Sequence, residues 1–331
     1  MPEATIRDVA RRAQLSVATV SRALNGFDNV SEDARERVAE AVRELGYVPH
    51  AGARSLSLAK TNAIGVVLPD LHGEFFSEIV RGMDREASRR GYLLLLSNLH
   101  ARAEQAALAL RAMHGRVDGL IVMAPHLSAR ELSAALPAGV PSVLINTRDG
   151  TSPRPAIHLD NAAGARAVVD HLVALGRKRL VHIAGPKGNI DADERAEAFR
   201  DACAARGIDC ETMRGDFEER SGEQAVLELL DRGHRFDALF AANDNMAIGA
   251  LAALRSRGVS VPGDVAVAGF DDIPLARHLG LTTVRVRIDE LGEQAVARLV
   301  ESMTKAGPGG DERHAPELIV RGTTDPGAPR R

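Results

Sequence analysis

Short apolar runs alternate with longer helix-patterned stretches along most of this 331-residue chain, and that alternation constrains its fold more than any other feature. The runs are Ile64–Leu68, Tyr92–Leu96, Leu120–Met123, Ser142–Ile145, Leu180–Ala184, Ala238–Ala241 and Val265–Ala268. Between them lie stretches such as Phe75–Arg90, Ala163–Leu175, Glu194–Arg206, Gly222–Leu230 and Met246–Arg257. Strand, helix, strand in succession predicts parallel sheets covered on both faces. The chain exceeds the ~250–300 residues at which one core stops growing, so two sheets are expected. Ligands in such folds sit beyond the carboxyl ends of the strands. Several runs end there in polar residues: Pro69-Asp70, Asn146-Thr147-Arg148, Gly185-Pro186, Asn243-Asp244 and Asp271-Asp272. One such end can be a helix cap, as Asn243 or Asp244 would be. Several converging on one cleft would make a polar pocket.

The N-terminal residues follow a different pattern. Thr5 can cap a helix with Asp8 three residues on, and Ile6, Val9, Ala10 and Ala13 form one apolar stripe. Gln14-Leu15 breaks it. Ser16 caps a second helix with Val20, Ala23 and Leu24 buried, and Asn25-Gly26 ends it. A third helix starts at Ser31, places Glu32 and Asp33 in its first turn, repeats Ala34, Val38, Val42 and Leu45, and stops at Gly46. Composition allows this to be a purely structural three-helix bundle. Bulk charge does not point to nucleic acid, because the net charge is −3. The first twenty-five residues nevertheless set Arg7, Arg11, Arg12 and Arg22 against only Glu3 and Asp8.

The identity of the residues decides the matter. Thr5-Ile-Arg-Asp-Val-Ala-Arg-Arg-Ala13, then Leu15-Ser-Val-Ala-Thr-Val-Ser-Arg-Ala-Leu-Asn25, Val30-Ser31 and Leu45-Gly-Tyr-Val-Pro49 closely resemble the headpiece of the LacI/GalR family of bacterial regulators. Further on, His171-Leu-Val-Ala-Leu-Gly176, Ile183-Ala-Gly-Pro186, Ala242-Asn-Asp-Asn-Met-Ala-Ile-Gly249, Gly269-Phe-Asp-Asp272 and Leu281-Thr-Thr283 resemble the family's effector domains, so the likeness runs over roughly residues 4 to 325. It implies an all-α helix-turn-helix headpiece at 1–48 and a hinge at 49–60. A periplasmic-binding-protein-like α/β core at 61–331 follows, with two parallel-sheet subdomains at about 61–160 plus 288–318 and 161–287 plus 319–331.

The resemblance also implies residue roles. Val17 and Ala18 would meet base edges in the major groove, reading only apolar features, while Arg22 would hydrogen-bond a guanine. Thr5, Ser16, Thr19, Ser21 and Asn25 are placed for phosphate contacts. Leu56 would wedge into the minor groove from a hinge that Gly52 keeps from folding freely. In the core, Arg195, Asp271 and Asn243 match effector contacts; Phe75, Phe76 and Phe217 would wall a ring; Asp70, Asn146 and Asp191 are further contacts. Four positions depart from the family's usual residues. Val286 replaces Gln, Arg287 and Glu74 each stand where Pro is common, and Ala198 stands where Gly precedes the Phe.

The expected function is therefore a homodimeric repressor of carbohydrate-utilisation genes, bound to double-stranded palindromic operator DNA and released by a small sugar or glycoside. A purine or nucleoside corepressor is the alternative. A solute-binding receptor would fit the core alone, but a headpiece stands where a secretory signal would be needed. No nucleotide-binding, zinc-hydrolase or serine-hydrolase motif is present, so neither an enzyme nor a cofactor is expected. Cys203 and Cys210 read as free thiols, and no apolar run reaches the ~20 residues needed to span a bilayer. A cytoplasmic location and no membrane partner are expected.

Overall fold

The computed structural model describes residues 4–48, 60–99, 103–147, 154–304 and 310–327. The chain divides into two compact units, one of Met1–Asn62 with Arg116–Asp118 and one of Ala63–Gly115 with Gly119–Arg331.

In the first unit, α1 (Ile6–Ala13), α2 (Val17–Leu24) and α3 (Glu32–Leu45) pack around Val9, Ala10, Ala13, Val20, Val38 and Ala41. The Asp8 carboxylate accepts from the Thr5 backbone N–H (3.0 Å) and hydroxyl (2.7 Å), which holds its pKa below the usual range. α1 ends at Gln14 in a left-handed conformation (φ 55°). Arg37 of α3 braces that turn by donating to the carbonyls of Ala13 (2.5 Å) and Gln14 (3.3 Å). On α3 the buried positions are Ala34, Val38 and Ala41, while Leu45 is 36% exposed at the helix end, where the small core has run out.

The second unit holds two parallel sheets. Strands β1 (Ala63–Leu68), β2 (Leu93–Asn98), β3 (Gly119–Met123), β4 (Ser142–Ile145) and β5 (Ala156–Leu159) join the late β11 (Glu312–His314) in the order β11-β5-β4-β3-β1-β2. Strands β6 (Arg179–Ala184), β7 (Asp209–Arg214), β8 (Ala238–Ala241) and β9 (Ala266–Ala268) form the second sheet, ordered β7-β6-β8-β9. Each of these two sheets is parallel throughout. An antiparallel pair, β10 (Thr283–Arg285) with β12 (Glu317–Ile319), lies where the chain leaves the second sheet and later returns.

The helices between strands are α4 (Glu74–Arg89), α5 (Ala103–Met113), α6 (Ala129–Ala135), α7 (Asn161–Ala174), α8 (Ile190–Ala205), α9 (Glu219–Asp231), α10 (Asp244–Ser256), α11 (Pro274–Leu279) and α12 (Ile288–Thr304). Two helix pairs pack backbone against backbone at glycines. A Cβ on Gly82 of α4 would lie 2.0 Å from the Asp289 carbonyl oxygen, and one on Gly292 of α12 would lie 2.2 Å from that of Ile79. Between α9 and α10, Gly222 faces Met246 at 2.0 Å and Gly249 faces Glu219 at 1.9 Å in the same sense.

The apolar runs expected as strands lie on β1, β2, β3, β4, β6, β8 and β9, with ends shifted by one or two residues. β7 is an edge strand, and five of its six residues keep solvent access, so Asp209-Cys-Glu-Thr-Met-Arg214 carries no apolar run to announce it. Among the described residues no helix is long and apolar enough to cross a membrane.

Candidate functional site

The carboxyl ends of both sheets open onto one cavity of about 260 Å³. That is slightly below the ~300–1,000 Å³ typical of pockets for drug-sized ligands, a size suited to a small ring compound. All nine residues expected to contact an effector line it: Asp70, Phe75, Phe76, Asn146, Asp191, Arg195, Phe217, Asn243 and Asp271. They come from loops after β1, β4, β7, β8 and β9, from the first turn of α4 and from the first two turns of α8.

Arg195 anchors the floor. It is 3% exposed; its Nε donates to Asn161 Oδ1 (2.8 Å) and its Nη1 to the Ala242 carbonyl (2.6 Å). Asp271 Oδ1 lies 3.6 Å from Nη1, and the guanidinium carbon sits 3.6 Å above the centre of the Phe270 ring. These contacts leave Nη2 as the nitrogen available to a ligand. Asn161 orients the floor from both sides, since its amide nitrogen donates to Asp191 Oδ1 (2.9 Å) and Glu194 Oε2 (2.9 Å). Burial pushes the Asp271 carboxyl up to about 7 against the opposing pull of Arg195, with Asp191 adding to the rise. Burial likewise raises Asp191, and Arg195 and Asn161 oppose it.

The walls are aromatic. Phe75 and Phe76 meet edge to face, with ring centres 5.3 Å apart. Phe217 has left-handed backbone (φ 75°), its carbonyl held by Asn243 Nδ2 (2.9 Å) and its ring lying over Gly185. A Cβ at Gly185 would come within 2.4 Å of that ring, so only glycine lets Phe217 take this position.

Two expected contacts have structural duties as well. Asn243 Oδ1 accepts from the Met246 N–H (3.0 Å) as the cap of α10, so both polar ends of its side chain are engaged. Asp70 Oδ1 accepts from the N–H groups of Leu71 (2.6 Å) and His72 (3.2 Å), leaving Oδ2 with more freedom. Asn146 is the converse. Its Oδ1 accepts from the Leu159 N–H (2.9 Å), but its buried Nδ2 has no partner among the described residues. A buried donor without an acceptor is costly, so this amide calls for an acceptor on a ligand or water.

Sequence reasoning missed His72, His126, Asn189, Asp216, Glu218 and Asn245 in the lining. Most follow a strand end closely, so carrying the strand-end rule through every βα loop would have found them. Asn161, which does not line the cavity but fixes Asp191 and Arg195, carried no such signal. Of the four departures, Glu74 has a partner: its Oε2 accepts from the Leu275 N–H (3.1 Å), joining the start of α4 to the start of α11. Arg287 has left-handed backbone (φ 52°), a conformation closed to the proline usual there.

In the N-terminal unit, Thr5, Ser16, Val17, Ala18 and Arg22 are exposed, and Thr19, Ser21 and Asn25 are half-buried. Val17, Ser21 and Asn25 follow one i, i+4 line on α2 and its cap, with Ala18 and Arg22 on the next. Arg22 makes no ion pair with another described residue. The Ser16 hydroxyl caps α2 by accepting from the Thr19 N–H (3.1 Å) and lies 2.8 Å from the Thr19 hydroxyl. One hydroxyl hydrogen of that pair remains for an outside acceptor. Leu56 and residues 49–59 of the expected hinge (49–60) lie outside the described residues.

Residues 5–50 match the bacterial regulatory proteins of the lacI family, and residues 169–324 match the periplasmic binding protein-like domain. The chain is 35% identical over 327 residues to the ribose operon repressor of Halalkalibacterium halodurans, covering 98% of each. It is 34% identical over 331 residues to the HTH-type transcriptional repressor CytR of Escherichia coli strain K12, covering 97% of this chain and 96% of that one. Among solved structures it is similar to the lac repressor dimer bound to operator and the anti-inducer ONPF. That match has a TM-score of 0.88 at 30% identity and covers 97% and 99% of the two chains. A headpiece with an exposed second helix, a two-sheet core open at its strand ends and full-length similarity to repressors together establish that the chain belongs to the LacI family of bacterial transcriptional regulators.

Proposed function

We propose that a homodimer of this chain represses carbohydrate-utilisation genes from a pseudo-palindromic operator and is released when a small sugar fills the cavity between the sheets. The convergence of all nine expected contact residues on one cavity carries this reading. Its chemistry suits a hydroxylated ring: carboxylates to accept from hydroxyls, an unpaired Asn146 amide to donate, and phenylalanines to cover the apolar face. Similarity to a ribose operon repressor supports a sugar-linked regulon.

On the DNA side, Val17 and Ala18 offer methyl surface to a thymine, and Arg22 offers a donor fork to guanine. Thr5, Ser16, Thr19, Ser21 and Asn25 supply polar groups for phosphates. Leu56 is assigned the minor-groove wedge by family position. The subdomains, about 61–160 plus 288–318 and 161–287 plus 319–331, act as two jaws, and no bond-making chemistry is assigned to the cavity between them.

Release requires the effector to bind the DNA-free arrangement more tightly than the DNA-bound one. Coupling of ~1–3 kcal/mol would weaken operator binding ~5–150-fold. The test is binding-site selection with the full chain, followed by fluorescence anisotropy on the selected duplex during titration with sugars. A sugar that binds and lowers operator affinity supports the proposal. Binding that leaves operator affinity unchanged, or raises it, overturns the inducer assignment.

A further inference from the structure

We propose that the cavity accepts an uncharged polyhydroxylated ligand and rejects the phosphorylated or carboxylated form of the same compound, an inference that rests on reading this cavity as the effector pocket. The charge inventory of the lining carries it. Among the described residues of the lining, Asp70, Asp191, Asp216, Glu218 and Asp271 contribute five carboxyl groups, against one guanidinium, that of Arg195. Asp191 and Asp271 are buried on the floor, whereas Asp216 and Glu218 are exposed at the rim. Arg195 is a weakened anion receptor, because its charge already faces Asp271 at 3.6 Å and its Nε and Nη1 are tied to Asn161 and Ala242, which leaves Nη2 alone for a ligand.

The imidazoles do not restore the balance. His126 is held in its neutral form by burial, which lowers its pKa, and His72 is exposed. Any anionic group brought to the floor would be desolvated beside two acids that already share one cation, and at the rim it would meet two more. Hydroxyl groups fit the same surroundings without that cost. They can donate to Asp70 and Asp271 and accept from the unpaired Asn146 amide. Burial pushes the Asp271 carboxyl up to about 7, so it can also present a proton to a hydroxyl oxygen.

The experiment is calorimetric titration of the full-length protein with two matched pairs, ribose with its phosphate ester and adenosine with its monophosphate. In whichever pair binds, the uncharged member should bind at least 30-fold more tightly. In Asp216→Asn/Glu218→Gln, whose changes are at exposed positions, that ratio should shrink several-fold. In Asp191→Asn/Asp271→Asn it should shrink further, with circular dichroism reporting on folding. A phosphorylated member that binds within threefold of its partner, or more tightly, overturns the proposal; if Phe217→Ala abolishes that binding, the effector-pocket reading survives. A ratio unchanged in the rim variant also overturns the proposal. Failure of all four compounds to bind removes the effector-pocket reading itself, and the proposal with it.

Discussion

Replacing Arg195 with methionine tests whether the cavity floor is a coupled unit. Methionine keeps much of the arginine's volume over Phe270 while removing the charge and every donor. The loss is specific: the 2.8 Å bond to Asn161, the 2.6 Å bond to the Ala242 carbonyl and the guanidinium 3.6 Å from Asp271. Asp271, whose carboxyl is already pushed up to about 7, takes a proton once Arg195 is gone, so the cost is mainly that of the two buried acceptors left without a donor, about 1–3 kcal/mol each. With ~2–4 °C per kcal/mol for a domain of this size, the midpoint of thermal unfolding should fall by ~4–24 °C. Asp271→Asn removes the group that must otherwise take up a proton, so Arg195→Met/Asp271→Asn should lose less than the sum of the two single variants. The double-mutant cycle should show coupling of ~0.5–3 kcal/mol. Differential scanning calorimetry of the four proteins, without ligand, measures both quantities. A single variant that melts within 2 °C of wild type, or a cycle that closes additively, would refute the coupled floor.

Four further outcomes follow from particular side chains. His182 is fully buried between Phe199 and Phe240, and burial lowers its pKa to about 3. The unfolded chain therefore binds the extra proton first: the His182 contribution is complete above about pH 6.5 and falls by ~1.4 kcal/mol per pH unit toward pH 3, so a wild-type minus His182→Leu stability curve should show that slope. Asp271 opposes it over much of the range, since its raised pKa makes the folded state the better proton binder, and the difference curve isolates His182. Gly249→Ala places a methyl 1.9 Å from the Glu219 carbonyl oxygen and should cost ~1–3 kcal/mol or more in denaturant unfolding, whereas Gly258→Ser, with open space around it, should show only its backbone strain. Glu74→Ala removes the bond to Leu275 and should raise the effector dissociation rate in stopped-flow measurements, with little change in unfolding midpoint. Arg22→Ala should relax base preference in binding-site selection by ~1–3 kcal/mol at one position per half-site, and an unchanged preference would reject its readout role.

The parts of the fold legible in the sequence are those where burial is one-sided or complete. β1, β3 and β4 are buried along their whole length and read as unbroken apolar runs. β7 and β11 are edge strands with solvent-facing residues, and their pairing partner rather than their composition makes them strands. α12 is different: Ile288, Leu291, Gly292, Ala295, Val296 and Leu299 carry clear helical spacing, yet the expected helices stop at Arg257. Lining residues were legible because a short family-like motif and a strand end coincided at Asn243 and Asp271, and a polar strand end alone marked Asn146. What could not be read was occupancy. Nothing in the sequence shows that Asn243 spends both polar atoms on a cap and on Phe217, or that Asn146 keeps a donor unpaired. Those follow from backbone placement, which a linear pattern does not encode.

The glycine-to-backbone seam between α4 and α12 has a consequence for the order in which the protein can be made. Residues 63–159 leave the ribosome early with the bare face of Gly82 unmatched, and its partner Gly292 is synthesised last, together with β11. The second sheet waits as well: Thr323 donates to the Val267 carbonyl at 2.7 Å, and Arg321 reaches Asp272 at 2.7 Å. Both halves of the ligand-binding core are thus sealed by the same final stretch, roughly 288–325. Nascent chains that stop before that stretch carry open seams against both sheets and are expected to be clients for chaperones and proteases, so neither sheet is completed without the other.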